Sequence, residues 1–311
     1  MDEAPFKKNP EELLTLDFEG GILTKDVTTK SPFDEDIEII DVKLDCGFGP
    51  REDVWYSTLP LLIKNVRRGN TIIKKTDENG GFSYSLGRKG LMKFFDMRLS
   101  YINKQERNML DVTKNGTAIT LEKNYILAPV LNSLKNGNQV QVLKTLKANG
   151  ENVQISYCHL VESWVISSKN VALIARSRKD IKFYEQGEMS DRFHFARLMA
   201  DAWFTKLESM SEKMREELTL QVSGHTMVGE YIGSQDYQHL VKYSRVSIIF
   251  YAIVGNNSEH SCWPCSMAWG LFKKYGLDVV KIEDLGTFSN YDKLCDQMET
   301  TFKQVAKSPI A

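Results

Sequence analysis

The sequence predicts a mixed α and β fold with antiparallel strands, and three stretches carry that reading. Asp77-Glu78-Asn79-Gly80-Gly81 is a turn signal between the strand-like runs Thr71–Ile73 and Phe82–Leu86, so the pair reads as a hairpin. The apolar run Val246–Val254 has the length of a strand. Asp191 to Leu218 is the longest helical pattern, with Ser190 or Asp191 as cap and Phe193, Leu198, Met199, Ala202, Trp203, Phe204 and Leu207 as its apolar stripe. That stripe reads as core packing.

The remaining elements follow in order. Residues 1–45 are charged and poorly periodic, and read as an N-terminal extension with one alternating piece at Ile37–Leu44. Residues 46–311 read as the domain proper. Arg67-Arg68-Gly69-Asn70 leads into the first hairpin strand, and Gly90–Asp96 is an apolar patch with Lys93 inside it. Asn115-Gly116 and Asn136-Gly137-Asn138 are turns, and Ala128–Leu134 is a short helix. Trp164–Lys169 is a strand ending in polar residues. Thr226–Ile232 is a strand with Glu230 between apolar neighbours, a costly place for a carboxylate unless it meets a cation, a metal or a hydroxyl. Cys262-Trp263-Pro264-Cys265 opens a helix through Lys274. A short strand at Val279–Ile282 and a helix at Tyr291–Val305 finish the chain.

Composition bounds the function. The chain has 311 residues, 42% hydrophobic and 26% charged, the make-up of a soluble globular protein long enough for one large domain or two ordinary ones. No apolar run reaches the ~18 residues of a membrane helix, so no membrane partner is expected. The N-terminus is acidic and has no apolar signal segment. Five cysteines are an odd number, which favours a reducing compartment, cytoplasmic or nuclear. A net charge of −1 excludes a global basic field for nucleic acid. Local basic clusters remain at Lys64, Arg67 and Arg68, and from Lys169 to Lys182 with Arg176, Arg178 and Lys179. These are solvated faces or a confined phosphate track.

The stretch around which the chain is organised is Lys147-Ala148-Asn149-Gly150, followed by an alternating run to Tyr157. A lysine at a fixed turn aims its amine into the cleft bordered by the strand. Asn149 can hydrogen-bond a sugar hydroxyl, and Gly150 lets backbone approach a ligand closely. The plain alternative is an Asn-Gly hairpin turn after a solvated lysine.

Read in order, Arg68-Gly69, Lys93-Phe94-Phe95, Lys147-Ala148-Asn149-Gly150, Ser168-Lys169-Asn170, Glu230 and Phe250-Tyr251 form one constellation. It resembles the nucleotidyltransferase domain of ATP-dependent RNA ligases, of the T-even bacteriophage RNA ligase type and of fungal tRNA ligases, over about residues 55 to 300. That family writes its nucleophile as lysine-any-(Asp/Asn)-Gly, and fungal tRNA ligases write Lys-Ala-Asn-Gly. The family's Lys-Phe-Phe-Asn reads Lys-Phe-Phe-Asp here, with Asp96 last, and its Ser-Lys-His reads Ser-Lys-Asn. Its acidic, His-containing run after the strand glutamate is similar to Asp236–Tyr243. The family's later Glu-Gly and Lys-x-Lys strand motifs are not found before Ala311, so the chain is expected to be a truncated or natural short form, incomplete at its C-terminus.

The resemblance implies an α+β fold, antiparallel sheets with flanking helices around an ATP cleft. It implies RNA as partner, with 5′-phosphate and 3′-hydroxyl ends joined through a lysyl-AMP, and ATP and Mg2+ as cofactors. Lys147 would be the nucleophile. Asn149 and Glu230 would hold ribose hydroxyls or a metal-bound water, with Glu230 the metal ligand. Gly150 would let the backbone approach the nucleotide. Tyr251 or Phe250 would stack on adenine, the other being core. Arg68, Lys93 and Lys169 would contact phosphate. The chemistry explains these residue types: free lysine titrates near ~10.4, so a site must favour its neutral form. Three other readings compete. They are a nucleotide-binding module that has lost ligation, a capping-type guanylyltransferase that uses GTP, and a redox protein built on Cys262 and Cys265 at a helix start. A zinc site would need ligands beyond Cys158, His159 and His260. Lys114-Asn115-Gly116 is the runner-up nucleophile.

Overall fold

The computed structural model describes residues 10–18, 22–33, 35–47, 52–59, 62, 65–93, 128–187, 189–233, 241–256 and 262–306. The chain forms two units, residues 1–93 with 147–280, and residues 94–146 with 281–311.

The first unit begins with α1 (Pro10–Thr15), β1 (Leu23–Thr28), β2 (Ile37–Leu44), α2 (Glu52–Thr58), β3 (Asn70–Thr76) and β4 (Phe82–Lys89). The four strands make an antiparallel meander in sequence order. Residues 23–44, expected to belong to an extension, are therefore two of its four strands. β1 is an edge strand with mostly part-exposed side chains, which is why it carries little periodicity. The expected hairpin joins β3 to β4. Asp77 Oδ1 accepts from the backbone N–H of Asn79 and of Gly81, both at 2.8 Å, and pins the turn.

The chain then crosses to the second unit for α3 (Ala128–Lys135) and β5 (Val140–Thr145), and re-enters the first at Lys147. There it forms β6 (Glu151–Cys158), β7 (Ser163–Ser167), β8 (Ala172–Ala175), a 3-10 turn at Arg178–Glu185, α4 (His194–Glu208), α5 (Glu212–Val222), β9 (His225–Ile232), β10 (Ser247–Gly255), α6 (Cys265–Lys274) and β11 (Asp278–Val279). The helical pattern expected over 191–218 is broken near 210. Ser211 Oγ accepts from Met214 N at 3.3 Å and starts a new helix as its cap. The single strand expected at Val279–Ile282 is the end of β11 and the start of β12 (Ile282–Phe288), in different units. β12 pairs antiparallel with β5, and α7 (Tyr291–Ala306) follows.

The second sheet of the first unit has six strands, ordered β11-β10-β9-β6-β7-β8 and antiparallel except at β10–β11. Ile37, Ile39 and Ile73 of the meander pack on Val165, Ala172 and Ile174 of this sheet. Its other face is covered by helices. Trp203 of α4 meets Trp164 and Phe250 edge-on, at 5.0 and 6.1 Å between ring centroids.

Where β4 crosses β6 and β7 the layer between the sheets is polar. Arg88 and Asp41 pair at 3.3 Å, each 1% exposed. Arg88 also donates to Thr71 Oγ1, Ser167 Oγ and the Ser168 carbonyl. Asp41 takes the Ala172 N–H and the Thr71 hydroxyl. Burial raises the Asp41 pKa and lowers that of Arg88, and the pair is tolerable because each member is otherwise hydrogen-bonded. Among the described residues no helix is long and apolar enough to cross a membrane.

Candidate functional site

The site grows from the polar face of β6. Alternate residues of a strand share a face, so Asn152, Gln154 and Ser156 point together toward the meander. Ser156 Oγ donates to the Gly87 carbonyl. Gln154 Nε2 donates to the Arg68 carbonyl and to Asn152 Oδ1, both at 2.8 Å. Asn152 Nδ2 donates to Tyr251 Oη at 3.0 Å. A continuous chain of side chains thus ties Tyr251 on β10 to the backbone of Arg68 ahead of β3. Gly69 is required beside it. Its φ is +103°, and a Cβ there would lie 2.7 Å from Gln154 Oε1.

Glu230 stands opposite Asn152 on β9 and opposite Ile249 on β10, so it shares that face. Its carboxyl accepts the Gly150 N–H. Burial pushes it up to about 7. The Lys147 charge opposes the rise, the Glu151 carboxylate adds to it, and Arg68 and the Gly150 N–H oppose it. Gly150 itself must be glycine, because a Cβ would meet the Tyr231 carbonyl at 2.2 Å. Its neighbour Asn149 donates its backbone N–H to Tyr243 Oη at 2.9 Å. Ala148 is buried and Lys147 is exposed, so the turn is pinned while the amine faces solvent.

The predicted phosphate contacts fall in two groups. Arg68 and Lys169 converge on one carboxylate: Glu52 Oε1 lies 3.7 Å from Arg68 Nε, and Glu52 Oε2 lies 2.7 Å from Lys169 Nζ. Lys93 is buried, two residues past Leu91, whose carbonyl accepts the Arg68 N–H at 2.9 Å. Beside these lies Lys89, 5% exposed, with Nζ donating to the Gly255 carbonyl at 3.2 Å. Burial, and then the Arg67 charge, push its pKa down to about 8.

Phe250 is the core member of the aromatic pair. It is 1% exposed, stacks on Phe272 of α6 at 5.0 Å and lies in the helix-covered core. Successive strand residues face opposite ways, and the ladder shifts register between Phe250 and Ala252, leaving Tyr251 on the polar side. Burial and the Glu230 carboxylate raise the Tyr251 pKa, so the phenol stays neutral.

Most cations of the basic run from Lys169 are partnered rather than arrayed as a phosphate track. Arg176 pairs with Glu35 at 2.6 Å, Arg178 with Asp201 and Glu208, and Lys169 with Glu52. Cys262 and Cys265 are exposed at the start of α6 and are not joined in a disulfide. Lys64, Phe94, Phe95, Asp96, Lys114, His260 and most of the run 236–243 lie outside the described residues.

Glu52, Asn152, Gln154 and Lys89 were missed by sequence reasoning. Asn152 and Gln154 left a signal, two polar residues at period two directly after the lysine turn. Glu52 and Lys89 left none, since each acquires its partners only through the tertiary fold.

Among the described residues no three acidic, His or Cys side chains group to hold a metal by themselves. Glu230 offers one carboxylate on this face, and magnesium commonly takes one or two carboxylates and completes its shell with water and substrate phosphates.

No family model matches the chain, and no curated protein matches it. Solved structures do. A variant of the Naegleria gruberi RNA ligase with AMP and manganese is 11% identical, with a TM-score of 0.37 over 90% of this chain and 86% of that one. Another variant, with ATP and manganese, is 13% identical, with a TM-score of 0.36 over 77% of this chain and 59% of that one. An apo variant is 13% identical, with a TM-score of 0.33 over 53% of this chain and 42% of that one. In these last two the matched region is less than two thirds of the ligase chain.

Proposed function

We propose that this chain is an ATP-dependent RNA ligase with a nucleotidyltransferase fold, joining 5′-phosphate to 3′-hydroxyl RNA ends through a lysyl-AMP on Lys147. The observation that supports this best is the convergence on Glu230. A part-buried carboxyl on β9 takes the Gly150 N–H, feels the charges of Lys147 and Arg68, and lies on the same sheet face as Tyr251. Four residues of one sequence constellation, drawn from three other segments, are therefore gathered about this one carboxyl.

In this reading the exposed Lys147 amine attacks the α-phosphorus of ATP. An N–P bond forms, the bond to the bridging oxygen breaks and pyrophosphate leaves. The AMP then passes to the RNA 5′-phosphate, and attack by the 3′-hydroxyl expels it. Glu230 and Asn149 hold the ribose hydroxyls, Tyr251 offers its ring to adenine, and Arg68, Lys93 and Lys169 hold phosphate. Asn152 and Gln154 keep Tyr251 and the Arg68 backbone in register. Glu230 would hold magnesium, which would supply charge neutralisation for the phosphates.

The test is incubation with α-labelled ATP and magnesium, reading label that survives denaturation. Wild type takes label and Lys147→Ala takes none. Label persisting on the variant would overturn the assignment of Lys147.

A further inference from the structure

We propose that Glu52 is an internal stand-in for a phosphate group: its carboxylate occupies an anion site formed by Arg68 and Lys169, and a phosphate-bearing ligand binds there by displacing it. The site rests on these three side chains. The identity of its ligand rests on the ligase reading above.

The three residues come from unconnected places. Glu52 opens α2, Arg68 precedes β3, and Lys169 lies in the turn from β7 to β8. Each carboxylate oxygen takes one cation, Oε1 facing Arg68 and Oε2 facing Lys169, as two oxygens of one phosphate would. The cations are held by their backbones. Arg68 N–H donates to the Leu91 carbonyl and Arg68 O accepts from Gln154. The Lys169 carbonyl accepts from the buried Arg88 at 3.3 Å. Glu52 is the member that can leave by side-chain rotation, since it begins its helix and its side chain is 22% exposed. Lys169 is 40% exposed, so the site is open to an incoming group.

Charge decides the exchange. Part-exposed ion pairs are weak, so releasing Glu52 costs little. A phosphate monoester carries about −1.5 to −2 near neutral pH, against −1 for the carboxylate, and has an oxygen to spare for further contacts. Glu52 therefore keeps the two cations aligned in the resting protein and screens out monoanions. It yields to phosphate monoesters and to pyrophosphate groups.

The experiment measures binding by titration calorimetry in wild type, Glu52→Gln, Glu52→Ala and Glu52→Gln combined with Arg68→Ala and Lys169→Ala. The probes are inorganic pyrophosphate, a 5′-phosphorylated oligoribonucleotide and its unphosphorylated twin. Removing the competing carboxylate tightens a phosphate-bearing probe about two- to fivefold, and the triple variant loses the gain. A gain for pyrophosphate assigns the site to the phosphates of ATP. A gain only for the phosphorylated oligonucleotide assigns it to the RNA end. Unchanged or weaker binding of both, in folded Glu52→Gln and Glu52→Ala alike, overturns the proposal and leaves Glu52 as a positioning residue. Label transfer to Lys147 in the same proteins separates the two readings. No label on wild type with the affinity gain present counts against the ligase reading alone, whereas normal label without the gain counts against the stand-in alone.

Discussion

Glu230→Gln tests the electrostatics at the centre of the site. Burial raises this carboxyl from the ordinary 4.5 to about 7. The unfolded chain titrates at the ordinary value. Between those two pH values the folded protein holds a proton that the unfolded chain has released, so this contribution to stability is full below about 4.5 and is lost as pH rises to about 7. The shift of about 2.5 units is about 3.5 kcal/mol at about 1.4 kcal/mol per unit, and partial exposure trims it to about 2–3 kcal/mol. Glutamine has the same shape and cannot ionise. The variant therefore gains about 2–3 kcal/mol on wild type between about pH 4 and about pH 8. Urea unfolding of metal-free protein at closely spaced pH, followed by circular dichroism, reads the difference directly, and titrations common to both proteins cancel. A difference that stays flat with pH would refute the reasoning, because Glu230 would then titrate alike in the folded and unfolded states. Glu151→Gln is the internal control. It removes one lesser cause of the rise and leaves most of the slope, since burial is the larger cause.

Two further outcomes follow from the packing. Phe250→Ala costs about 3–5 kcal/mol in urea unfolding and leaves the nucleotide affinity of the folded protein unchanged, whereas Tyr251→Phe costs about 1 kcal/mol, through the lost Asn152 bond, and keeps the ring that the proposed function assigns to adenine. Arg88→Met costs about 3–5 kcal/mol because it strands the Asp41 carboxylate between the sheets, and adding Asp41→Asn recovers part of that loss in the same assay.

The sequence shows most clearly those features that one segment fixes by itself. The Asp77–Gly81 turn needs only its own side chain and glycines, and it forms as read. Gly150 reads as a place where backbone approaches a ligand, whereas the close neighbour that requires a glycine there is the Tyr231 carbonyl. Glu230 in an apolar strand announces that something must offset its burial, and the Lys147 and Arg68 charges with the Gly150 N–H do so only in part, since burial still raises the carboxyl to about 7. Features that depend on which face of a strand turns inward are not legible. Phe250 and Tyr251 are adjacent aromatics in one apolar run, and only the pairing with β9 and the shift after Phe250 decide between them. β1 went unread because an edge strand buries too little to show a period. Arg88, in Gly87-Arg88-Lys89-Gly90, has the look of a surface residue and is among the most buried charges in the unit.

Burial of Arg88 explains why the site can hold its shape without ligand. The guanidinium reaches from β4 to the Ser168 and Lys169 carbonyls, so it fixes the turn that presents Lys169. The same β4 end lies against β3, where Gly69 and Gly90 are hydrogen-bonded at 2.6 Å and Arg68 is presented. One buried cation thus sets the spacing between two partly exposed ones. The Asp41 carboxylate, with the Thr71 hydroxyl, keeps that buried cation tolerable. Glu52 then offsets the repulsion between the exposed cations in the resting protein. Preorganisation of this kind lets binding energy go to the ligand rather than to ordering side chains. It also assigns the cost of disruption. Loss of Glu52 changes ligand affinity with little effect on stability, and loss of Arg88 changes stability first and affinity through it.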